Sequence, residues 1–181
     1  ARSAYQVLDL DDIGVTDPKT GYGTYSGSVE SSITGGTFSS DVSEYVADGY
    51  EIVPQGDQWV VGTLDELAVA EVGEQKYTSL TAAMNDALDG ETVTLLADST
   101  RNKKVTISDG RKLILDMNGF DAGFALNQNI SIYQGNLNII GSGKLYEEQP
   151  YFAPVLLYGS NDPADSEYTT ITVGKNVTLE G

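Results

Sequence analysis

Cysteine and histidine are both missing from this 181-residue chain. Their absence excludes disulfides, Cys/His zinc sites, and Ser–His–Asp or Cys–His catalysis. Basic residues are scarce too: ten stand against 27 acids, for a net charge of −17. Such a surface repels nucleic acid and anionic lipid, so neither is an expected partner. No apolar run reaches the ~18 residues of a membrane span, and no charged segment followed by an apolar stretch marks a signal peptide after Ala1. Together these absences suggest a piece of a longer secreted precursor that is not inserted in a membrane.

The charge that is present is unevenly spread. Residues 1–100 hold 18 acids and 3 bases, whereas residues 101–181 hold 9 acids and 7 bases. Five of the ten bases, Arg101, Lys103, Lys104, Arg111 and Lys112, fall within twelve positions around the apolar pair Val105/Ile107. Lysines often protect an exposed strand edge. The alternative is a docking patch for an acidic partner, including the acidic half of another copy.

Local signals divide the chain into an irregular first part and a strongly patterned second part. Tyr5 to Leu10 and Gly27 to Phe38 read as strands, broken by a loop rich in Asp, Pro and Gly. A short helix is expected over about 41–48, opened by Asp41 with Glu44 three residues on and closed by Gly49. Tyr50–Val53 and Gln58–Val61 then pair as a hairpin across Pro54-Gln55-Gly56-Asp57, with Trp59 as the buried plug of the cap. A second hairpin, Leu67–Val72 with Gln75–Tyr77, precedes a helix over about 79–89. Leu80, Ala83, Met84, Ala87 and Leu88 share one apolar face of that helix, and Gly90 stops it.

After Gly90 the apolar period switches from helical to two. Val93/Leu95, Val105/Ile107, Leu113/Leu115, Ile130/Ile132, Leu137/Ile139, Val155/Leu157, Ile171/Val173 and Val177/Leu179 alternate with polar residues. Short strands without intervening helices exclude alternating β-α-β units and leave a sandwich or a β-helix. Asp116-Met117-Asn118-Gly119 and Gly141-Ser142-Gly143 have the composition of sharp corners.

Two segments point beyond local structure. Ile33 to Gly62, ITGGTFSSDVSEYVADGYEIVPQGDQWVVG, resembles the closing segment of a repeat in adhesin-like cell-surface proteins, common in Gram-positive gut bacteria, that carry right-handed parallel β-helix modules. Val69 to Gly119, with AEVGEQKYTSLTAAMNDALDGETVTLLAD and then KLILDMNG, is similar to the opening of the next such repeat. The resemblance implies a mostly β fold with pectate-lyase-like β-helix coils and a small α+β cap. Residues 1–62 would end one repeat, and residues 63–181 would begin the next with coils over 91–181. It further implies an extracellular protein, anchored to the cell wall through a region outside this chain. Its role would be non-enzymatic, in adhesion or in binding a host protein or glycan. A carbohydrate-active β-helix enzyme and a self-assembling fibre or layer subunit are the alternatives.

Chemistry on such a scaffold has to come from carboxylates, Lys, Arg, Tyr and hydroxyls. Sugar hydrolysis needs two carboxylates facing each other across the bond, and elimination needs a cation with an Arg or Lys base. The nearest grouping is Asp162, Asp165 and Glu167, with Lys144 or Arg111 as bases, and the paired-Asp, His-Gly and Arg-Ile-Lys pattern of helical polygalacturonases is missing. No catalytic residue is therefore assigned. No cofactor is implied; calcium is the one ion the acidic loops could take, at Asp162, Asp165 and Glu167 or at Asp9, Asp11 and Asp12. Asp9-Leu-Asp11-Asp12-Ile-Gly14 fails as an EF-hand because Ile13 and Thr20 occupy ligand positions. Tyr146, Tyr151, Phe152 and Tyr158 crowd into thirteen residues and are the candidate ligand-contacting aromatics, with filling of the interior as the competing role.

Overall fold

The computed structural model describes residues 32–148, 152–159 and 169–181. Tyr5–Leu10, the Asp9–Asp12 loop and the first five residues of Gly27–Phe38 lie outside these residues. The protein is mostly β, in several sheets, and divides into two compact units, residues 1–63 and 64–181.

In the first unit three strands form one antiparallel sheet. They are β1 (Gly36–Phe38), β2 (Glu51–Gln55) and β3 (Gln58–Gly62), with β3 central. The hairpin between β2 and β3 is tighter than the sequence suggests. Pro54 lies within β2 opposite Trp59, and Gln55 pairs with Gln58, so only Gly56 and Asp57 turn the chain. Gly56 adopts φ +62°, which a two-residue hairpin loop requires and a glycine adopts without strain. Because β2 is an edge strand, Pro54 can sit in it without removing a ladder hydrogen bond. The expected helix over 41–48 shortens to a single 3-10 turn, Ser43–Tyr45, with Asp41 Oδ1 accepting the Ser43 N–H at 2.9 Å. Trp59 is half-buried rather than a fully enclosed plug; Val61 is the buried apolar side chain of this sheet.

The second unit opens with a short helix α1 (Leu64–Leu67), which takes up Leu67, and a hairpin of β4 (Ala70–Val72) and β5 (Gln75–Tyr77). Lys76 Nζ on β5 meets Asp65 Oδ1 on α1 at 2.8 Å, and this ion pair and hydrogen bond raise the Lys76 pKa above its ordinary value. Helix α2 (Leu80–Asp86) follows. Ser79 caps it in extended conformation, its side chain accepting from the Ala82 N–H, and Leu80, Ala83 and Met84 face inward. Leu88 does not join that face. The chain leaves the helix at Ala87 with ψ 133°, and Leu88 is carried into solvent.

Eleven strands follow: β6 (Thr92–Leu95), β7 (Ser99–Asn102), β8 (Val105–Ile107), β9 (Lys112–Asp116), β10 (Ala122–Phe124), β11 (Ile130–Tyr133), β12 (Asn136–Ile140), β13 (Ser142–Glu147), β14 (Val155–Tyr158), β15 (Thr170–Val173) and β16 (Asn176–Glu180). They enter three sheets in rotation, each pairing in parallel with the strand three places further on. One sheet runs β5-β4-β6-β9-β12-β15, a second β7-β10-β13-β16, and a third β8-β11-β14. Thr92 lies beside Ile114, Ala122 beside Leu145 and Ile130 beside Val155, steps of 22, 23 and 25 residues.

Alternation and register together make the core. Apolar residues two apart on each strand face one side, and parallel pairing stacks them into columns such as Ile107–Ile132–Leu157 and Leu115–Ile139–Val173. Most of these side chains are fully enclosed, each stabilising the fold by ~1.5–3 kcal/mol. Turns between strands are held by side-chain hydrogen bonds to the backbone 23 residues on. Asp89 Oδ1 accepts the Lys112 N–H, Asp98 Oδ1 that of Asp121, and Asp121 Oδ1 that of Lys144, each 23 residues on. Many of the acids thus act as turn acceptors rather than as free charge. At the corner 116–119, Asn118 (φ +49°) donates Nδ2–H to the Leu95 carbonyl, and Gly119 follows at φ +92°.

Sequence periodicity missed the sheet of β7, β10 and β13. Its inward residues include Ser99, Asn102 and Glu147, which break the apolar pattern. Asn102 is satisfied internally, donating to the Ser99 and Gly123 carbonyls and accepting from Ser99 Oγ. Glu147 Oε1 accepts the Asn127 N–H at 3.0 Å.

Candidate functional site

The candidate aromatics separate onto two sheets. Tyr158 ends β14 and Tyr146 lies on β13, so the thirteen-residue cluster in sequence is not one cluster in space. Phe152 is exposed, and Tyr151 lies outside the described residues, as do Asp162, Asp165 and Glu167.

Tyr158 has a partner that the sequence does not reveal. Tyr133 occupies the same outward position one strand earlier, in register, and the rings stack with centroids 4.3 Å apart and planes 8° from parallel. Both side chains remain partly exposed, and the pair forms a flat aromatic step on the β8-β11-β14 sheet. Loss of hydration, and then the hydrogen bond and charge of Tyr158, raise the Tyr133 pKa. Its hydroxyl is therefore protonated, and able to donate, across the physiological range. Such a step offers ring area and hydroxyls, the combination that suits a sugar ring or an apolar protein side chain.

Thr169, just before β15, lies beside this pair. Thr169 Oγ1 donates to the Tyr158 carbonyl at 2.9 Å and accepts the Gln134 N–H at 2.9 Å. The steps between neighbouring strands also locate the extra residues. Asn136 pairs with Thr170 and Ser142 with Asn176, steps of 34, whereas Ile130 pairs with Val155, a step of 25. The excess of about ten residues therefore falls after Tyr158. The segment before it includes β14, a regular member of its sheet.

Tyr146 is packed rather than presented. Its ring lies over Gly123 one strand back, where an added Cβ would come within 2.5 Å of the Tyr146 ring. Lys144 Nζ sits 4.6 Å from the ring centroid, close enough for a cation–π contact, and pairs with Glu180 Oε2 at 3.5 Å. Burial is the main cause of the raised Tyr146 pKa, with Glu148 next.

The basic cluster is also divided. Arg111 is half-buried, its guanidinium donating to the Met84 carbonyl near the end of α2, where a cation complements the helix dipole. Lys103, Lys104 and Lys112 are exposed. Their backbone N–H groups bond to Thr81 Oγ1, Gln128 Oε1 and Asp89 Oδ1, which fixes the strand starts and leaves the ammonium groups outward. The Arg101 N–H donates to Glu148 Oε1, with Arg101 at φ +55°. Among the described residues no group of three or more His, Cys, Asp or Glu is placed to hold a metal ion, and no helix is long and apolar enough to cross a membrane. Comparison with protein-family models, curated proteins and solved structures finds no match to this chain.

Proposed function

We propose that residues 91–181 form coils of a right-handed parallel β-helix, and that the chain is an extracellular, non-enzymatic surface module binding a host protein or glycan. The observation that carries the coiled reading is the rotation of β6 to β16 through three sheets, with parallel pairing at steps of 22–25 residues before the loop. Each circuit of the chain then adds one strand to each face. Corner carboxylates and asparagines satisfy the turns, and apolar columns fill the inside.

On this reading, recognition belongs to side chains pointing away from the columns. The stacked Tyr133–Tyr158 step, with Thr169 bonded beside it, is the favoured contact surface. A neutral sugar or a basic protein segment suits it better than an acidic glycan, because the chain carries a net charge of −17. The test is a binding screen against immobilised neutral glycans and extracellular-matrix proteins, comparing the chain with a Tyr133→Ala/Tyr158→Ala variant. Retention by the native chain and its loss in a variant of unchanged circular dichroism supports the proposal. Equal retention by both places recognition elsewhere.

A further inference from the structure

We propose that Asn118–Gly119 is a self-modification site held shut by the fold, which converts to an isoaspartyl linkage only when the turn 116–119 opens and then keeps that turn from closing. The inference rests on the bonding of this turn, and on neither the coiled reading nor any ligand. Of the chain's nine asparagines only Asn118 precedes a glycine. Glycine has no side chain, so its N–H is the least shielded of any residue. In an open chain the Gly119 nitrogen attacks the side-chain carbonyl carbon of Asn118. A C–N bond closes a cyclic imide, the bond to the side-chain nitrogen breaks, and ammonia leaves with the proton of the Gly119 N–H. Water then opens the ring at either carbonyl. The product is an aspartyl residue or an isoaspartyl linkage, in which the main chain runs through the former side chain. No oxidant, reductant or cofactor takes part.

Both residues are exposed, so water and base reach them, and bonding rather than burial holds the reaction off. Asn118 sits at φ +49°, and its Nδ2–H donates to the carbonyl of Leu95, the last residue of β6, at 2.9 Å. The Gly119 N–H donates to the carbonyl of Ser142, the first residue of β13, at 2.8 Å. The attacking nitrogen and the amide under attack are thus each tied to a different strand. The Asn118 N–H is held as well, by Asp116 Oδ1 at 2.9 Å, and Met117 between them is fully enclosed. Freeing the pair breaks two hydrogen bonds and unseats a core side chain, a local opening present in about one chain in 100 or fewer. Packing closes the way back. Gly141 lies against this turn, where an added Cβ would come within 2.8 Å of the Asn118 nitrogen. An isoaspartyl linkage lengthens the main chain by one carbon at this crowded place and removes the amide that bonded Leu95. A chain that has once opened here is marked and stays open.

The test is peptide mapping by mass spectrometry, with fragmentation that separates aspartyl from isoaspartyl products, during incubation of the full chain in mildly alkaline buffer with and without urea. Asn118 should convert before the other asparagines in urea, and at least ~100-fold more slowly in the folded chain. Asp116→Ala frees one bond of the turn and should speed conversion of the folded chain about 5-fold, with unchanged circular dichroism. If that variant does not fold, the ratio of the folded to the urea rate decides alone. Returned from urea, the isoaspartyl chain should melt below both the native chain and an Asn118→Asp variant, which carries the same charge on an ordinary backbone. Equal rates with and without urea, a folded-state rate that Asp116→Ala leaves unchanged, or an isoaspartyl chain that melts with Asn118→Asp overturns the proposal.

Discussion

Truncating two residues of one column separates enclosed from half-open positions along the stack. Ile132 and Leu157 are adjacent in register on β11 and β14, with 0% and 50% exposure. Ile132→Ala removes three buried carbons, ~2.4 kcal/mol at ~0.8 kcal/mol each. A cavity held open by Ile107 and Leu157 brings the loss to roughly 3–4 kcal/mol, within the ~2–5 kcal/mol range of such changes. Leu157→Ala removes the same number of carbons from a half-solvated site without enclosing a cavity, about 1.2 kcal/mol. At roughly 4 °C per kcal/mol for a unit of this size, the two variants should melt about 8 °C apart. Thermal circular dichroism measures the gap. Trp59, in the other unit, supplies an internal fluorescence control. Equal losses would refute the assignment of β14 to the half-open end of this column.

Gly143→Ala should lower stability by about 2 kcal/mol or more, because its Cβ would lie 2.0 Å from the Phe120 carbonyl oxygen at φ +143°, and chemical denaturation will read it. Ser79→Ala should cost about 1 kcal/mol by removing the α2 cap, with the same assay and with Ser79→Asp restoring most of the loss. Tyr133 and Tyr146 should ionise later in an ultraviolet titration than tyrosine at its ordinary pKa of about 10. Their protonated forms are favoured in the folded state. The stability they contribute is therefore complete below the unfolded value and is lost as pH rises through the raised one. Tyr133→Phe/Tyr146→Phe should flatten that alkaline loss, and an unchanged slope counts against the environments assigned to the two rings.

Strands with strict apolar alternation were legible in the sequence because period two and full burial coincide in them. Val105/Ile107, Ile130/Ile132 and Leu137/Ile139 sit inside as the pattern requires. Helix α2 was legible from its i, i+3, i+4 face, but Leu88 was not, since its exposure depends on where the chain leaves the helix. The β7-β10-β13 sheet stayed hidden because Ser99, Asn102 and Glu147 turn inward, Ser99 bonded to the Asn102 side chain and Asn102 and Glu147 to backbone about 20 residues away. The hairpin turn was misplaced because Pro54 reads as a turn residue, whereas an edge position tolerates it within β2. Tyr146 and Tyr158 looked like one cluster because sequence proximity carries no information about which sheet a strand joins. Tyr133 was missed because 25 residues separate it from the ring on which it stacks.

That last separation bears on where binding can vary on such a scaffold. Inward columns tolerate little, because each side chain touches those on the strands to either side, and a change of volume is felt in both. Outward positions meet only their two strand neighbours, and a loop leaving at a strand end disturbs neither column. Strand β14 ends at Tyr158, and Thr169, just before β15, has a hydroxyl that links Tyr158 to Gln134 beside the aromatic step. Loop-closure entropy rises only about 0.6 kcal/mol per doubling of length. Length and composition can therefore change here at small cost to the fold, while the Tyr133–Tyr158 step stays fixed by register. A fixed aromatic surface beside a freely variable loop is a physically inexpensive way for one scaffold to acquire different ligands, and it directs the search for the ligand to this edge before any other.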